Sequence, residues 1–231
     1  MYQILCKKYP YNLSKKSIDR HRFAANLCKQ VYNTKSGILI KKYKNHTYIS
    51  LEGSYTIFHW IYNFCVFKSN DIHTGFYNNT KKYIEAYRLK ELIETNDNVI
   101  LCGHSLGAAA ALLISHQLKE TRNIKEIVIF GCPMISGQDF KREFQEKNNI
   151  NIFSYQNGTD IICSLPFSFF GYVPLIDDVF HLESVSDKDG LVKSIYDHSM
   201  LSYVLSLSFP LESKWEEKID EIFNFNEENT I

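Results

Sequence analysis

The fold of this chain is decided by a short apolar stretch that runs into a serine flanked by glycines. The stretch reads Asn98-Val99-Ile100-Leu101-Cys102-Gly103-His104-Ser105-Leu106-Gly107, and an alanine-rich run at 108–118 follows it. A short and almost wholly apolar strand is typical of burial on both faces of a sheet, and alanine has the highest helix propensity. The stretch therefore predicts a buried strand, a tight turn at the serine and then a helix.

The spacing of Gly103, Ser105 and Gly107 fits the nucleophile elbow, G-x-S-x-G. In this turn the serine adopts a strained backbone that projects its hydroxyl above the sheet. The neighbouring turns pass so closely that side chains at both glycine positions would clash. Ser105 is therefore the candidate nucleophile, and the alternative is an ordinary strand-to-helix turn with an incidental serine.

Hydrophobic periodicity in the rest of the chain predicts an α/β fold. Helices are predicted from about Ser17 to Tyr32 and from near Phe76 to Glu94, and strands at 37–40, 47–51, 124–130 and 151–155. Strands that alternate with helices imply a largely parallel sheet with helices on its faces. The length predicts a single domain, residues 1–231, and the charged segment at 212–229 is predicted to be a solvated helix.

Charge and composition exclude several classes of protein. There are 26 Lys and Arg against 26 Asp and Glu, so the formal net charge is zero, whereas nucleic-acid binders carry a basic excess. We therefore expect no nucleic-acid partner. No signal peptide or membrane-spanning run is recognisable, and the 6 cysteines are spread singly. These features predict a cytoplasmic protein with reduced thiols and with no metal or other cofactor.

A serine nucleophile needs a base, and the base needs an acid that orients it. In elbow enzymes these residues follow in the chain order Ser, then Asp or Glu, then His. His181 and His198 are the candidates for the base. Asp160 follows a predicted strand, in a loop that would hold it beside the elbow, and Asp177 and Asp178 are the alternative acids.

Five segments in chain order carry a resemblance to a known family. They are Ile49-Ser50-Leu51-Glu52-Gly53-Ser54, His73-Thr74-Gly75-Phe76, Val99 to Gly107, Ile129-Phe130-Gly131-Cys132-Pro133, and the spaced set Asn157, Asp160, Leu165, Pro166. From about Lys41 to Tyr203 the chain resembles the class 3 lipases, the fungal-lipase-like branch of the α/β-hydrolases. The resemblance implies the α/β-hydrolase fold, a mostly parallel central sheet with helices on both faces.

The resemblance also implies residue roles. Asp160 would be the acid and His198 the base of a triad with Ser105. The backbone N–H of Leu106 directly follows the nucleophile and is the first expected donor of an oxyanion hole. The resemblance implies that the N–H of Ser54 is the second donor.

Three features at the edges of these motifs qualify the resemblance. Cys163 stands where many members carry proline, and Ser54 stands where threonine is common. The segment between Gly53 and His73 is short against the secreted fungal members, which argues against a long interfacial lid. Gly53 itself is expected to be structural and to leave room for the substrate to approach the end of its strand.

Two apolar segments are the candidate acyl-chain site. The first, residues 58–67, contains Trp60, and the second contains Phe169 and Phe170 after the candidate acid. Both fall on the rim of the predicted active face, although the first is equally compatible with a core helix. His73 and His104 are expected to pack or to form hydrogen bonds, because no third ligand lies at a spacing that suits a metal.

These observations predict a serine carboxylic-ester hydrolase that cleaves acyl esters of acylglycerols or phospholipids through an acyl-enzyme intermediate. The alternatives are a short-chain or aryl esterase, an acyltransferase, and a non-catalytic lipid-binding homologue. The expected partner is a lipid or a small ester. The sequence is compatible with transient contact with a membrane or lipid-droplet surface and carries no signal for oligomeric state.

Overall fold

The computed structural model describes residues 13–53 and 68–208 of the chain. Its helices and strands follow in the order α1 (Lys15–Val31), β1 (Ile38–Tyr43), β2 (His46–Leu51), β3 (Lys68–Ser69), β4 (Ile72–His73), α2 (Thr74–Ala86), α3 (Leu89–Glu94), β5 (Val99–His104), α4 (Leu106–Gln117), β6 (Ile124–Phe130), α5 (Gln138–Lys147), β7 (Asn151–Asn157), β8 (Val179–Leu182), α6 (Gly190–Asp197) and α7 (Met200–Ser208). The helix predicted at 212–229 lies outside the described residues.

The main sheet of the described residues has 6 strands in the spatial order β1-β2-β5-β6-β7-β8. Strands β1 and β2 form an antiparallel hairpin, and every other neighbouring pair is parallel. Leu101 at the centre of β5 lies between Ile49 and Ile127 of the two flanking strands. The mostly parallel sheet predicted from the alternation of strands and helices is therefore confirmed.

Helices cover both faces of this sheet, because its central strands carry apolar side chains on each face. On β5, Ile100 and Cys102 pack in a core cluster with residues of α1 and α7. Val99 and Leu101 point the other way, into a cluster built with α2, α3, α4 and α5. This arrangement makes β5 a near-continuous buried run, as expected for a strand covered on both sides.

Helix α4 packs closely against the sheet and against α2. Its first two turns include Ala108, Ala109, Ala110 and Ala111, all of which are buried. Small side chains let the helix axis approach its neighbours, and alanine favours the helical backbone. The alanine run therefore fixes the position of the helix whose first turn adjoins Ser105.

Helix α1 is attached to the sheet by buried polar contacts as well as by apolar packing. The Arg20 guanidinium donates to Glu126 of β6, with the Nη2–Oε2 distance 2.9 Å. The next residue, His21, is fully buried, and its Nδ1 lies 2.6 Å from the Tyr155 hydroxyl of β7. These contacts anchor α1 across two adjacent strands.

The sequence predicts one helix from near Phe76 to Glu94, and this prediction is wrong because the segment forms two helices. Helix α2 ends at Ala86, and α3 starts at Leu89 after Arg88, whose φ is +48°. A left-handed residue cannot continue a right-handed helix. Tyr83 and Tyr87 of this segment are half-buried and pack against the core.

The described helices are also short for crossing a bilayer. Helix α1, with 17 residues, is the longest of those in residues 13–53 and 68–208. A membrane span needs about 20 predominantly apolar residues. In this part of the chain no helix is both long and apolar enough to cross a membrane.

Overfilling the α4 contact should destabilise the fold. Ala109→Leu places extra methyl groups where the side chain is fully buried, and we expect the free energy of unfolding to fall by about 1–3 kcal/mol. Chemical denaturation measures this change. The control is Lys119→Leu, at an exposed position just beyond the same helix, which should change stability by less than about 0.5 kcal/mol. Equal effects of the two substitutions would contradict the close packing.

Candidate active site

Ser105 lies in the turn between β5 and α4, with φ +59° and ψ −121°. This is a strained conformation for a residue with a side chain. Its N–H donates to the Phe130 carbonyl of the neighbouring strand at 2.9 Å. A Cβ atom on Gly103 would overlap the Gly107 carbonyl, and one on Gly107 would overlap the Leu51 carbonyl. Both glycines are therefore required by the close approach inferred from the sequence.

His198 directly follows α6, and its ring faces the Ser105 turn. The imidazole Nε2 lies 3.1 Å from Ser105 Oγ. The other ring nitrogen, Nδ1, lies 3.0 Å and 2.9 Å from the two carboxylate oxygens of Asp160. The structure thus brings Ser105, His198 and Asp160 together in one hydrogen-bonded row.

Asp160 lies in the loop after β7 and is almost completely buried. Its Oδ1 accepts a hydrogen bond from the Ile162 N–H at 2.9 Å, and its Oδ2 accepts one from the Tyr203 hydroxyl at 2.6 Å. A carboxylate accepts hydrogen bonds only, so the facing Nδ1 of His198 carries the proton. That tautomer leaves Nε2 able to accept a proton from the serine hydroxyl.

His104, the residue before Ser105, holds the backbone of His198. Its Nε2 lies 2.7 Å from the His198 carbonyl oxygen, and its Nδ1 lies 2.7 Å from the Tyr32 hydroxyl. Because a carbonyl can only accept, Nε2 is the protonated nitrogen, and Nδ1 accepts from Tyr32. Burial and then the nearby His198 lower the pKa of His104 well below its usual range. The expected hydrogen-bonding role of His104 is confirmed.

Two glycines around these side chains are required by close contacts. A Cβ on Gly131, whose φ is +57°, would lie 2.8 Å from Asp160 Oδ2 and 3.0 Å from His198 Nδ1. A Cβ on Gly53 would overlap the Tyr32 hydroxyl. Gly53 is therefore structural, as expected, and the space beside it is filled by the hydroxyl that holds His104 rather than left open for substrate.

The alternative acid and base candidates lie elsewhere. His181 is on β8, opposite Gln156 of β7. Asp177 bonds to Lys141 and to Gln145 of α5, and the Lys141 contact lowers the pKa of the aspartate. The hydrogen bonds of the His198 ring run to Asp160 instead. His73, as expected, acts in hydrogen bonding, since its ring accepts from the first turn of α2.

The predicted oxyanion and substrate residues are only partly described. Leu106 is the first residue of α4, where backbone N–H groups have no carbonyl partner within the helix. Ser54 and Trp60 lie outside the described residues. Phe169 is 75% exposed, and its ring stacks on Phe167 at a centroid distance of 5.6 Å and lies tilted against Phe170 at 4.1 Å. These aromatic side chains form an exposed apolar patch after the Asp160 loop.

Sequence reasoning missed two residues that support this site. Tyr203 ends the stretch that resembles the family, and Tyr32 ends a predicted helix, and neither position indicates a role in the site. Both hydroxyls act across large sequence separations, to Asp160 and His104 respectively. No local pattern marks such contacts. Within the described ranges, no cluster of three or more His, Cys, Asp or Glu is arranged to hold a metal ion.

The fold is that of the fungal lipases. The chain superposes on the Rhizomucor miehei lipase in its propeptide complex with a TM-score of 0.54 at 19% identity, covering 83% of this chain and 80% of that one. A lipase from Rhizopus microsporus var. chinensis gives a TM-score of 0.55 at 18% identity, covering 77% of each chain. At these identities the likeness shows a shared α/β-hydrolase-type fold.

The sequence profile of Lipase (class 3) matches residues 48–170, and the chain belongs to this family. Phospholipase A1-IIdelta of Arabidopsis thaliana is 28% identical over 96 residues, which are 38% of this chain and 23% of that protein. The secreted mono- and diacylglycerol lipase MDL5 of Malassezia globosa is 30% identical over 112 residues, 46% of this chain and 36% of that protein. The chain thus matches about a quarter to a third of the length of these relatives.

The lowered pKa of His104 predicts a pH-dependent loss of stability. Unfolding releases this histidine to take up a proton near its ordinary pKa of about 6.5, so its contribution is present above that pH and is lost as the pH falls below it. Between pH 6.5 and 5.5 the free energy of unfolding of the wild type should fall by about 1 kcal/mol more than that of His104→Gln. Urea titrations at both pH values measure this difference. An equal change in the free energy of unfolding for the wild type and His104→Gln would contradict the prediction.

Proposed function

We propose that this chain is a serine carboxylic-ester hydrolase that cleaves acyl esters of lipids. The observation that carries the proposal is the row of hydrogen bonds from Asp160 through His198 to Ser105. The distances place each acceptor within hydrogen-bond reach of the donor that nucleophilic attack requires. The serine also lies at the strained strand-to-helix turn typical of hydrolases with this fold.

The chemistry follows from this row. Ser105 Oγ attacks the ester carbonyl while His198 Nε2 takes the hydroxyl proton, and Asp160 stabilises the imidazolium that forms. The imidazolium then donates its proton to the leaving alcohol, which leaves an acyl-serine. His198 next takes a proton from a water whose oxygen attacks the acyl carbonyl, and it returns that proton to Ser105 Oγ as the bond to the serine breaks and the acid is released.

The negative charge on the tetrahedral intermediate needs donors that are already in place. The Leu106 N–H, at the N-terminus of α4, is suited to this task by its position next to the nucleophile and by the helix dipole. One such donor typically lowers the barrier by about 2.7–4 kcal/mol. The Ser54 N–H is the proposed second donor.

A lipid substrate is favoured over a small ester by the exposed patch of Phe167, Phe169 and Phe170. Large exposed apolar patches mark interaction sites for apolar partners. The names of the relatives point the same way, since one is a phospholipase A1 and another a mono- and diacylglycerol lipase. We therefore propose acylglycerols or phospholipids as the substrate class, with Phe169, Phe170 and Trp60 as acyl-chain contacts. The cytoplasmic location stays a prediction from sequence.

Removal of the nucleophile tests the proposed reaction. We expect the wild type to hydrolyse p-nitrophenyl esters from acetate to palmitate, with kcat/KM rising with chain length. Ser105→Ala should lower kcat by about 10⁶-fold and Asp160→Asn by about 10⁴-fold, because the hydrogen-bonded row acts as a unit. Activity that peaks at acetate would favour a short-chain esterase. Activity that survives in Ser105→Ala would refute the proposed nucleophile.

Truncation of the aromatic patch tests the acyl-chain contacts. The double substitution Phe169→Ala and Phe170→Ala should lower kcat/KM for palmitate at least about 10-fold more than for acetate, because burial of each apolar side chain contributes roughly 1.5–3 kcal/mol. The matched control is Ile40→Ala, an exposed apolar residue on the edge strand β1, which should leave both rates unchanged. Equal losses on the two esters would remove these residues from the acyl-chain site.

A further inference from the structure

Asp197 is a buried carboxylate that the proposed reaction does not use. It ends α6, directly before His198, and its side chain is 0% exposed. Burial by itself would raise its pKa, but hydrogen bonds from Ser184, the Thr159 backbone and Lys193 outweigh burial and lower the pKa below its usual range. Asp197 is therefore a charged group held inside the protein by specific partners.

The partners of Asp197 include the loop that carries Asp160. Its Oδ2 accepts from the Thr159 N–H at 2.9 Å and from the Thr159 hydroxyl at 3.2 Å. Its backbone carbonyl accepts from Asn157 Nδ2 at 3.1 Å. A Cβ on Gly158 would overlap Asp197 Oδ2. All three residues that precede Asp160 therefore contact this one residue.

The remaining partners compensate the charge and direct the carboxylate. Lys193 Nζ, one turn earlier on α6, lies 3.0 Å from Oδ2, and the Ser184 hydroxyl donates to Oδ1. A buried carboxylate without such partners would be strongly destabilising. With them, Oδ2 can accept from Thr159 without leaving an unpaired charge close to Asp160.

We propose that Asp197 is a positioning residue that sets the geometry between Asp160 and His198. It is covalently joined to His198 and hydrogen-bonded to the residue covalently joined to Asp160, so a single carboxylate determines the place of both. The expected effect on catalysis rests on the proposed function. The expected effect on the distance between the Asp160 carboxylate and His198 Nδ1 does not.

A graded set of substitutions tests this role in the full chain. Asp197→Ala removes the acceptor for Thr159 and should lower kcat by roughly 10–100-fold with KM changed by less than about 2-fold, because small misplacements of catalytic groups carry penalties of this size. Asp197→Asn keeps a carbonyl oxygen that can accept from Thr159, and it should recover most of the lost kcat. The matched control is Asp189→Ala, an exposed aspartate at the other end of α6 whose side chain makes no capping hydrogen bond, and it should leave kcat within about 2-fold.

A second measurement does not depend on ester hydrolysis. In a Ser105→Ala background, the Nδ1 proton of His198 should give a strongly downfield NMR resonance, because it is hydrogen-bonded to a carboxylate. Adding Asp197→Ala should shift or broaden this resonance, whereas adding Asp197→Asn or Asp189→Ala should preserve it. If no ester is hydrolysed but this pattern appears, the proposed function is wrong and the positioning role holds.

Two results would overturn the positioning role. In one, Asp197→Ala lowers the melting temperature while both kcat of the folded protein and the His198 resonance stay at wild-type values, which would make Asp197 a stabilising residue only. In the other, Asp197→Asn is as impaired as Asp197→Ala in both measurements. That result would assign the effect to the charge rather than to the hydrogen bonds with Thr159.

Discussion

The strained backbone of Ser105, with its positive φ, is the constraint on which the rest of this structure depends. A side chain in such a conformation costs on the order of 1–3 kcal/mol and persists only where its surroundings over-determine it. Here the surroundings are the Phe130 carbonyl, which receives the serine N–H, and the close approaches made possible by Gly103 and Gly107. The fully buried β5 and the alanine-rich α4 are the two elements that can pack closely enough to maintain this turn.

The part of the fold closest to this turn could be predicted from the sequence because its signals are local. Glycine spacing marked the turn, apolar runs marked the buried strands, and alanine marked the helix that follows. The alternation of these elements was sufficient for a parallel sheet. The break at Arg88 was not predictable, because neither proline nor glycine marks it and the left-handed residue is an arginine.

The two tyrosines that hold the side chains of the candidate site could not be predicted from the sequence, and the reason is physical. Tyr32 and Tyr203 act through single hydroxyl groups on partners 72 and 43 residues away. An isolated tyrosine at the end of a helix has the same local pattern whether its hydroxyl bonds to solvent or to a buried imidazole. Asp160 and His198 were predicted because chain order and family resemblance restricted the candidates. The buried polar contacts that orient them depend on the packed tertiary structure.

The segment matched by the family profile, residues 48–170, ends before His198 and begins after Tyr32. Ser105 lies near the middle of the described residues. Helix α1 on one side and helices α6 and α7 on the other therefore supply the remaining parts of its site. Contacts of such large sequence separation form together with the global fold rather than before it. The reactivity proposed for Ser105 would thus report on whether helices α1, α6 and α7 have docked, and it would be lost in any partly folded state from which one of these helices is released.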